Sequence, residues 1–514
     1  MRLKTKILGL EAGGKPIVVL NKDDADDLGI KSLGRVRLQY NKKELTAIVN
    51  VTKRVALRGA IGIYDEVKNF LDLKENVDVE VDIAKFPSSL HLIRNKLKGR
   101  KLSYEEILEI VKDVVAGNLS EIEIASFVTA LHTFGLDLDE AVSLTLSMVE
   151  TGNQLKLDKK IVVDKHSAGG VPGDKTTLLL VPIIAASGLT IPKTSSRAIT
   201  SVSGTADRAE CLMPVEFSIE EMKRIVEKTN GCIVWGGSLH LAPADDIFIQ
   251  VEYPLSIDPL LLPSIMSKKK AVGATHLIID IPCGRGTKMK TIGDADFLAK
   301  DFLELGKKLG IMTQCAITYG EQPIGYTIGP ALEAREALEV LMRRKIIPDL
   351  LDKATDIAAI LFEMVGKANG KQLALEILKS GKAEEKLREI ILEQGGNQQI
   401  KPEDIPVGDY GTDFVSDNNG FVLWIDNNSL VEIARAAGAP KDKGAGIQLY
   451  KKVGDPVRQG EKLFTIYSEK SRKLGRVGKV LEETKPVGTG ARREMLIHRV
   501  KESVVTKKAF ILER

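Results

Sequence analysis

The stretch KIVVDKHSAGGVPGDKTTLLLVPIIAASG, Lys160 to Gly188, most narrows the folds open to this chain. A short β-branched run, Ile161 to Val163, ends in Asp164, Lys165, His166 and a glycine pair, and an apolar stretch from Thr176 to Ala186 follows. This order predicts strand, tight loop and buried helix. Such a loop presents backbone N–H groups and a helix N-terminus to an anion. It is not a Walker sequence, because Asp174 separates Gly173 from Lys175, and an acid inside that nest repels a triphosphate. A single phosphate fits better, with Lys165 supplying charge and Thr177 a hydroxyl near the helix start.

A second loop has the same character. From Lys193 to Asp207 the chain carries seven hydroxyl side chains, with Lys193 and Arg197 among them. Hydroxyls and amides donate to oxyanions, and a forked guanidinium can grip a second anion. A turn-rich surface linker is the other reading of such a composition.

Residues 1–84 alternate as short strands broken by Gly and Asn-Lys turns, a small β-rich domain. After Pro87 the texture turns helical over 85–158, with Ser103/Glu106 and Ser120/Glu123 spaced as capping boxes and Gly117 and Gly135 as helix stops. A later contribution to this helical domain is expected from about residues 220–250. Over 159–397, IVVD, CIVWGG, HLIIDI and MTQCAITYG alternate with amphipathic segments, which indicates an α/β core. Residues 398–514 read as an α+β module.

At 514 residues, 43% hydrophobic and 28% charged, the chain can bury more than one core and should divide into about three domains. A formal net charge of +4 from 74 basic and 70 acidic side chains gives no field for nucleic acid. Cys211, Cys232, Cys283 and Cys315 lack C-x-x-C spacing and read as reduced, buried thiols. Neither a secretory signal nor a run of transmembrane length is present, so a soluble, cytoplasmic protein is expected.

DKHSAGG, GDKTT, SSRAIT and SGTAD resemble the thymidine and pyrimidine nucleoside phosphorylase family, most closely its archaeal AMP phosphorylase branch. The likeness continues through LAPADD, PSIMSKKKAVGATHLIIDIPCGRGTK, QCAITYGEQPIGYTIGPALEAREAL and GAGIQLYKKVGDPVRQGEKLFTIY. It implies a multidomain α/β and α+β chain: an N-terminal barrel-like domain, a helical domain, a large α/β domain with a central mixed sheet, and a C-terminal α+β domain. The active site is expected in the cleft between the helical and α/β domains, with no cofactor or metal, in a homodimer or larger homo-oligomer. The implied reaction is phosphorolysis of a nucleoside 5′-monophosphate, AMP and phosphate giving adenine and ribose 1,5-bisphosphate, with CMP and UMP open. A thymidine or uridine phosphorylase, a phosphoribosyltransferase on a related fold and a binding-only nucleotide sensor are the alternatives.

The resemblance also implies roles. Lys165, Thr177, Ser195 and Thr205 match inorganic phosphate ligands, and Gly170 allows close backbone approach. Ser196, Arg197, Ala198, Ile199, Thr200 and Ser201 match the nucleotide-binding run, with Thr205, Ser264 and Lys288 as further nucleotide contacts and Lys268 facing the base. Lys288 or Arg197 is expected at the 5′-phosphate. His166 ranks below Lys165, a lone histidine being commonly structural. Pyrimidine enzymes of the family place an Arg after LAPAD; here DDIFIQVEYPLSID has none, and Glu252 stands near that place. Asp258 matches the proton donor to the departing base, a role that needs a pKa raised by burial; a helix cap before Pro259 is its plain reading. Two departures stand out: Asp258 lies closer to Ser264 than in the branch, and Asp174 replaces an expected Asn, an acid that weakens anion binding unless Lys175 or Lys165 pairs with it. The turn VGDPVRQGEKLFTI resembles lipoyl carrier domains without a carrier lysine motif, and reads as structural, helping subunits associate.

Overall fold

The computed structural model describes residues 1–84, 86–198 and 201–491. Strict alternation of inward and outward side chains, as in Arg2–Ile7, folds the N-terminal strands into a closed barrel. Its order is Arg2–Ile7, Ala60–Ile63, Ile17–Asn21, Lys43–Thr52, Arg35–Tyr40, Asp78–Ile83, and antiparallel pairing of first and last strand closes it. Leu3, Val18, Leu20, Val36, Leu38 and Val81 fill the interior.

Helices Ser89–Lys96, Tyr104–Val115, Glu121–Phe134 and Leu138–Glu150 follow. Both predicted capping boxes form, and Asp137 with Glu140 makes a third. The later contribution to this core comes from Pro243–Leu255, whose Phe248 packs on Phe127. The helix Ile219–Thr229, inside the expected 220–250 span, instead buries Met222, Ile225 and Val226 beside Cys232 and Val234 of the α/β domain. Amphipathicity alone could not say which neighbour it faces.

In the α/β domain, Met312–Tyr319, His276–Cys283 and Val163–Ser167 pair in parallel, in that spatial order. A parallel bridge from Val162 to Thr190 leads on to Ile191–Ser195, which pairs in parallel with Gly231–Trp235. Against the expectation of a mixed central sheet, these strand pairs are parallel throughout, and mixed pairing lies instead in the barrel, with two parallel and four antiparallel pairs. Chain order runs outward on one side of Val163–Ser167 and then resumes on its other side at His276–Cys283. The order therefore reverses between these two strands, and ligands of open α/β sheets bind at the carboxyl ends of such a pair. The helix Thr176–Ala186 forms over the predicted residues, and nearly every side chain in it is buried.

The C-terminal part contains sheets built on Tyr410–Val415, Gly446–Leu449 and Lys462–Ser468, and on Gly420–Ile425, with helices Asn427–Ala437 and Ser471–Glu483. Its boundary is interlocked with the α/β domain: Thr327–Ile328 adds an edge to the C-terminal sheet against Gly446–Leu449, and Val202 and Ile328 join the C-terminal apolar core. All four cysteines are free, though only Cys232 is fully buried. Among the described residues, no helix is long and apolar enough to cross a membrane.

One fully buried ion pair secures this junction. Lys175, at the N-cap of Thr176–Ala186, bonds Glu336 and donates to the Ile324 carbonyl at 2.9 Å and the Thr327 hydroxyl at 3.1 Å. Lys175→Met leaves Glu336 buried without its cation, and should cost about 3–5 kcal/mol, read as a lowered midpoint in denaturant unfolding.

Candidate active site

The reversal point brings two loops together. Gly170, in the loop after Val163–Ser167, has φ of 101°, and a Cβ there would lie 3.1 Å from the Lys288 backbone nitrogen. Only a glycine allows this approach. The close approach expected at Gly170 is that of a ligand; the backbone that stands beside it is that of the Gly284–Lys288 loop.

On one side of the crevice stands a buried charge network. Lys165 projects from its strand with Nζ 3.3 Å from Asp280 Oδ2, and Lys353 bonds the same oxygen at 2.9 Å. Lys353 also reaches Asp174, at 3.2 Å, and so answers the question raised by that unusual acid. Neither residue expected to pair with Asp174 does so: Lys175 turns to Glu336, and Lys165 to Asp280. Burial alone would raise the Asp174 pKa, but the Lys353 and Lys165 charges outweigh it and hold the carboxyl far below its usual range. Asp174 is thus a neutralised anchor of the loop. Behind Lys165, Lys269 bonds Asp164 at 2.7 Å, while Lys193 stands 3.9 Å from that carboxylate. Burial and the Lys269 charge pull the Lys193 pKa well below the lysine range. His166 is likewise pulled down, by burial and then by Lys269, Lys193 and Lys165, which keeps it neutral and unable to act as a cation at pH 7. Thr177 is buried in the first turn of its helix, and Ser195 ends its strand with Oγ 3.3 Å from the Val234 carbonyl.

Arg197 is already occupied. Its guanidinium bonds Glu210 at 2.8 and 2.9 Å and Glu216 at 2.8 Å, and lies 4.9 Å from the Trp235 ring centroid. The Arg197 hydrogen bond, set against partial burial and aided by Lys443, pulls the Glu210 pKa down to about 2. Asp207 ties the surrounding loop by accepting from the Ala198 and Gly204 amides at 2.7 and 2.8 Å. Ser196 precedes Arg197 in this tied loop, Ser201 donates to the Ser203 carbonyl, and Thr205 opens the short helix Thr205–Ala209. Ile199 and Thr200 lie outside the described residues.

Across the crevice Lys288 Nζ meets Asp258 Oδ2 at 3.0 Å, with the side chains 38% and 45% exposed. Asp258 caps no helix; Leu261–Ala271 starts without a side-chain cap. Ser264 donates to Asp245 at 2.9 Å, and Lys268 bonds the same oxygen. Glu252, on the Pro243–Leu255 helix, is buried and accepts the Leu260 amide at 3.1 Å, so it anchors the segment carrying Asp258. Burial, then the negative charge of Asp258, raises its pKa to about 7. Residue-type patterns miss Lys353 and Asp280, whose partners are distant in sequence. Among the described residues, no group of three or more His, Cys, Asp or Glu side chains could hold a metal ion.

Since Glu252 binds its proton more tightly in the folded than in the unfolded chain, its ionisation removes stability as pH rises from its ordinary 4.5 through about 7. Glu252→Gln should therefore match the wild type near pH 4 and melt roughly 1–3 °C higher at pH 8. Thermal scans across this range check it, and a variant less stable at both pH values contradicts the raised pKa.

Three domain families match the chain: the glycosyl transferase family helical bundle domain over residues 90–152, the glycosyl transferase family α/β domain over 159–384, and the pyrimidine nucleoside phosphorylase C-terminal domain over 421–487. A protein of Thermofilum pendens named AMP phosphorylase is 52% identical over 97% of this chain and 98% of its own length. A protein of Thermococcus kodakarensis with the same name is 50% identical over 95% of this chain and 97% of its own. Among solved structures, anthranilate phosphoribosyltransferase from Thermus thermophilus aligns with a TM-score of 0.51 at 20% identity, over 59% of this chain and 98% of its own, a likeness of fold alone. With full-length identity of this order and the domain matches in sequence order, the chain belongs to the AMP phosphorylase family, within the wider nucleoside phosphorylases.

Proposed function

We propose that this protein is a pentosyltransferase that cleaves AMP with inorganic phosphate, giving adenine and ribose 1,5-bisphosphate. The observation that carries the reading, beside the names of its relatives, is that the loop following the Lys165 strand abuts, at Gly170, the loop that carries Lys288, so that two strand-end loops bearing cations meet at the reversal point.

Inorganic phosphate is held by Lys165, Thr177, Ser195 and Thr205, where its charge complements the buried lysines. A phosphate oxygen attacks C1′ of the ribose. The C1′–N bond breaks with its electron pair passing to adenine, and Asp258 protonates a ring nitrogen of the leaving base. Ser264 and Lys268, fixed on Asp245, line the base side. The nucleotide rests against Gly170, Ser196, Arg197, Ala198, Ile199, Thr200, Ser201 and Thr205. Because Arg197 is saturated by Glu210 and Glu216, its part is to shape this run, and Lys288 is assigned to the 5′-phosphate.

The Lys288–Asp258 pair gives that assignment a chemical consequence. When a 5′-phosphate draws Lys288 away, the Asp258 carboxyl is released from its ion pair and is free to turn to the base. The substrate's tail thereby helps arm the acid. Assembly as a homodimer or larger oligomer and a cytoplasmic location belong to the same proposal; sedimentation velocity tests the first.

Asp258→Asn should lower kcat for AMP phosphorolysis by roughly 10²–10⁴-fold, measured as phosphate-dependent adenine release. Full activity in this variant removes Asp258 as the acid. Lys288→Met should raise KM for AMP by about tenfold or more while adenosine cleavage falls no further. An unchanged KM for AMP would return the 5′-phosphate to another residue, and a wild type equally active on adenosine would refute the monophosphate reading.

A further inference from the structure

The C-terminal module looks remote in sequence from the crevice, yet it touches both loops assigned to the nucleotide. Val202, directly after Ser201, is 1% exposed and packs in the C-terminal core with Val422, Leu430 and Ile433. Arg435, on the helix Asn427–Ala437, donates to the Ser201 carbonyl at 3.3 Å. Lys443 bonds Glu210 at 2.7 Å, the carboxylate that grips Arg197.

The same helix backs the second loop. Asn427, 1% exposed at its start, donates to the Gly320 carbonyl at 2.8 Å, and a Cβ on Gly286 would come within 3.1 Å of the Asn427 Cβ. Gly320 in turn bonds the Cys283 carbonyl at 2.9 Å and leaves no room for a side chain beside Thr287. Among the described residues Asn427 Oδ1 is buried without a hydrogen-bond partner, a cost that an apolar residue would avoid. Packing at Gly286 and the single donated bond are what the residue offers in return.

We propose that the C-terminal domain is the rear wall of the nucleotide subsite, with Val202, Arg435 and Asn427 as positioning residues that set the Ser201 and Gly284–Lys288 segments at the spacing a nucleoside monophosphate requires. Of the groups assigned to phosphate, Lys165 and Thr177 stand on separate elements, the Val163–Ser167 strand and the Thr176–Ala186 helix, and only Ser195 and Thr205 border the loop that carries Ser201. The wall therefore acts chiefly on binding of the nucleotide, and much less on that of inorganic phosphate. This rests on the assignment of the two loops to the nucleotide.

The test compares Arg435→Ala, Val202→Ala and Asn427→Ala with the wild type on AMP, adenosine and phosphate. KM for AMP should rise by about 5–20-fold while KM for phosphate and the adenosine rate stay within about twofold. A loss of general integrity would instead lower all rates together. Val202→Ile and Arg435→Lys should recover most of the affinity for AMP. Arg435 lies at the surface, so its variant tests the idea even where the two buried changes impair folding. A wild type that needs the 5′-phosphate, with variants whose KM for AMP is unchanged or rises in parallel with that for phosphate, overturns the rear wall alone. A wild type indifferent to the 5′-phosphate overturns the loop assignment and the wall with it.

Discussion

Charges buried away from water must be paired, and the structure around the crevice is arranged to satisfy that demand. Asp280 lies at the centre of the parallel strands with no exposed surface, and it holds Lys165 from one neighbouring strand and Lys353 from the long helix Pro348–Met364. Lys353 extends the network to Asp174 in the loop ahead of the buried helix. Removing any member strands a charge in the interior. The position of Lys165 is therefore set by three separate elements, and the loop carrying Gly170 is fixed between the same strand and Asp174.

That constraint explains how an acid can sit in an anion-binding loop. Asp174 does not face an incoming phosphate as a free negative charge, because Lys353 neutralises it and Arg208 bonds its main-chain carbonyl. Glu252 shows the opposite regime. Burial without a strong cation leaves it near neutrality, while Asp258, more exposed, borrows Lys288. Asp174 and Glu252 thus differ in protonation because their surroundings differ.

Coupling among the parts follows from interlocked packing. The edge strand Thr327–Ile328 lies in the C-terminal sheet although the surrounding chain belongs to the α/β domain, and Lys175 holds its residues from the other side. Val202 is a second such insertion. The nucleotide loops and the C-terminal elements consequently share buried contacts, and a change in the latter reaches the former through packed side chains.

Local chemistry was legible from the sequence wherever the chain contacts itself within a few residues. The capping boxes of Ser103 with Glu106 and Ser120 with Glu123, the helix Thr176–Ala186 and the N-terminal strands follow from the sequence, because capping, periodicity and glycine turns are short-range. The positions of Gly170 and Lys288 on strand-end loops are legible too, since α/β alternation places such loops at one end of the sheet, whereas Lys165, expected just after a strand ending at Val163, lies inside the strand Val163–Ser167 because pairing with His276–Cys283 carries the strand further. The tertiary structure decided which charges meet. Lys353 finds Asp174, Arg197 is consumed by Glu210 and Glu216, Lys288 pairs with Asp258, and the helix Ile219–Thr229 packs on strands and not on the helical bundle. Each of these pairings depends on which of several compatible partners the folded chain brings within reach, and a string of residue types carries no record of that choice.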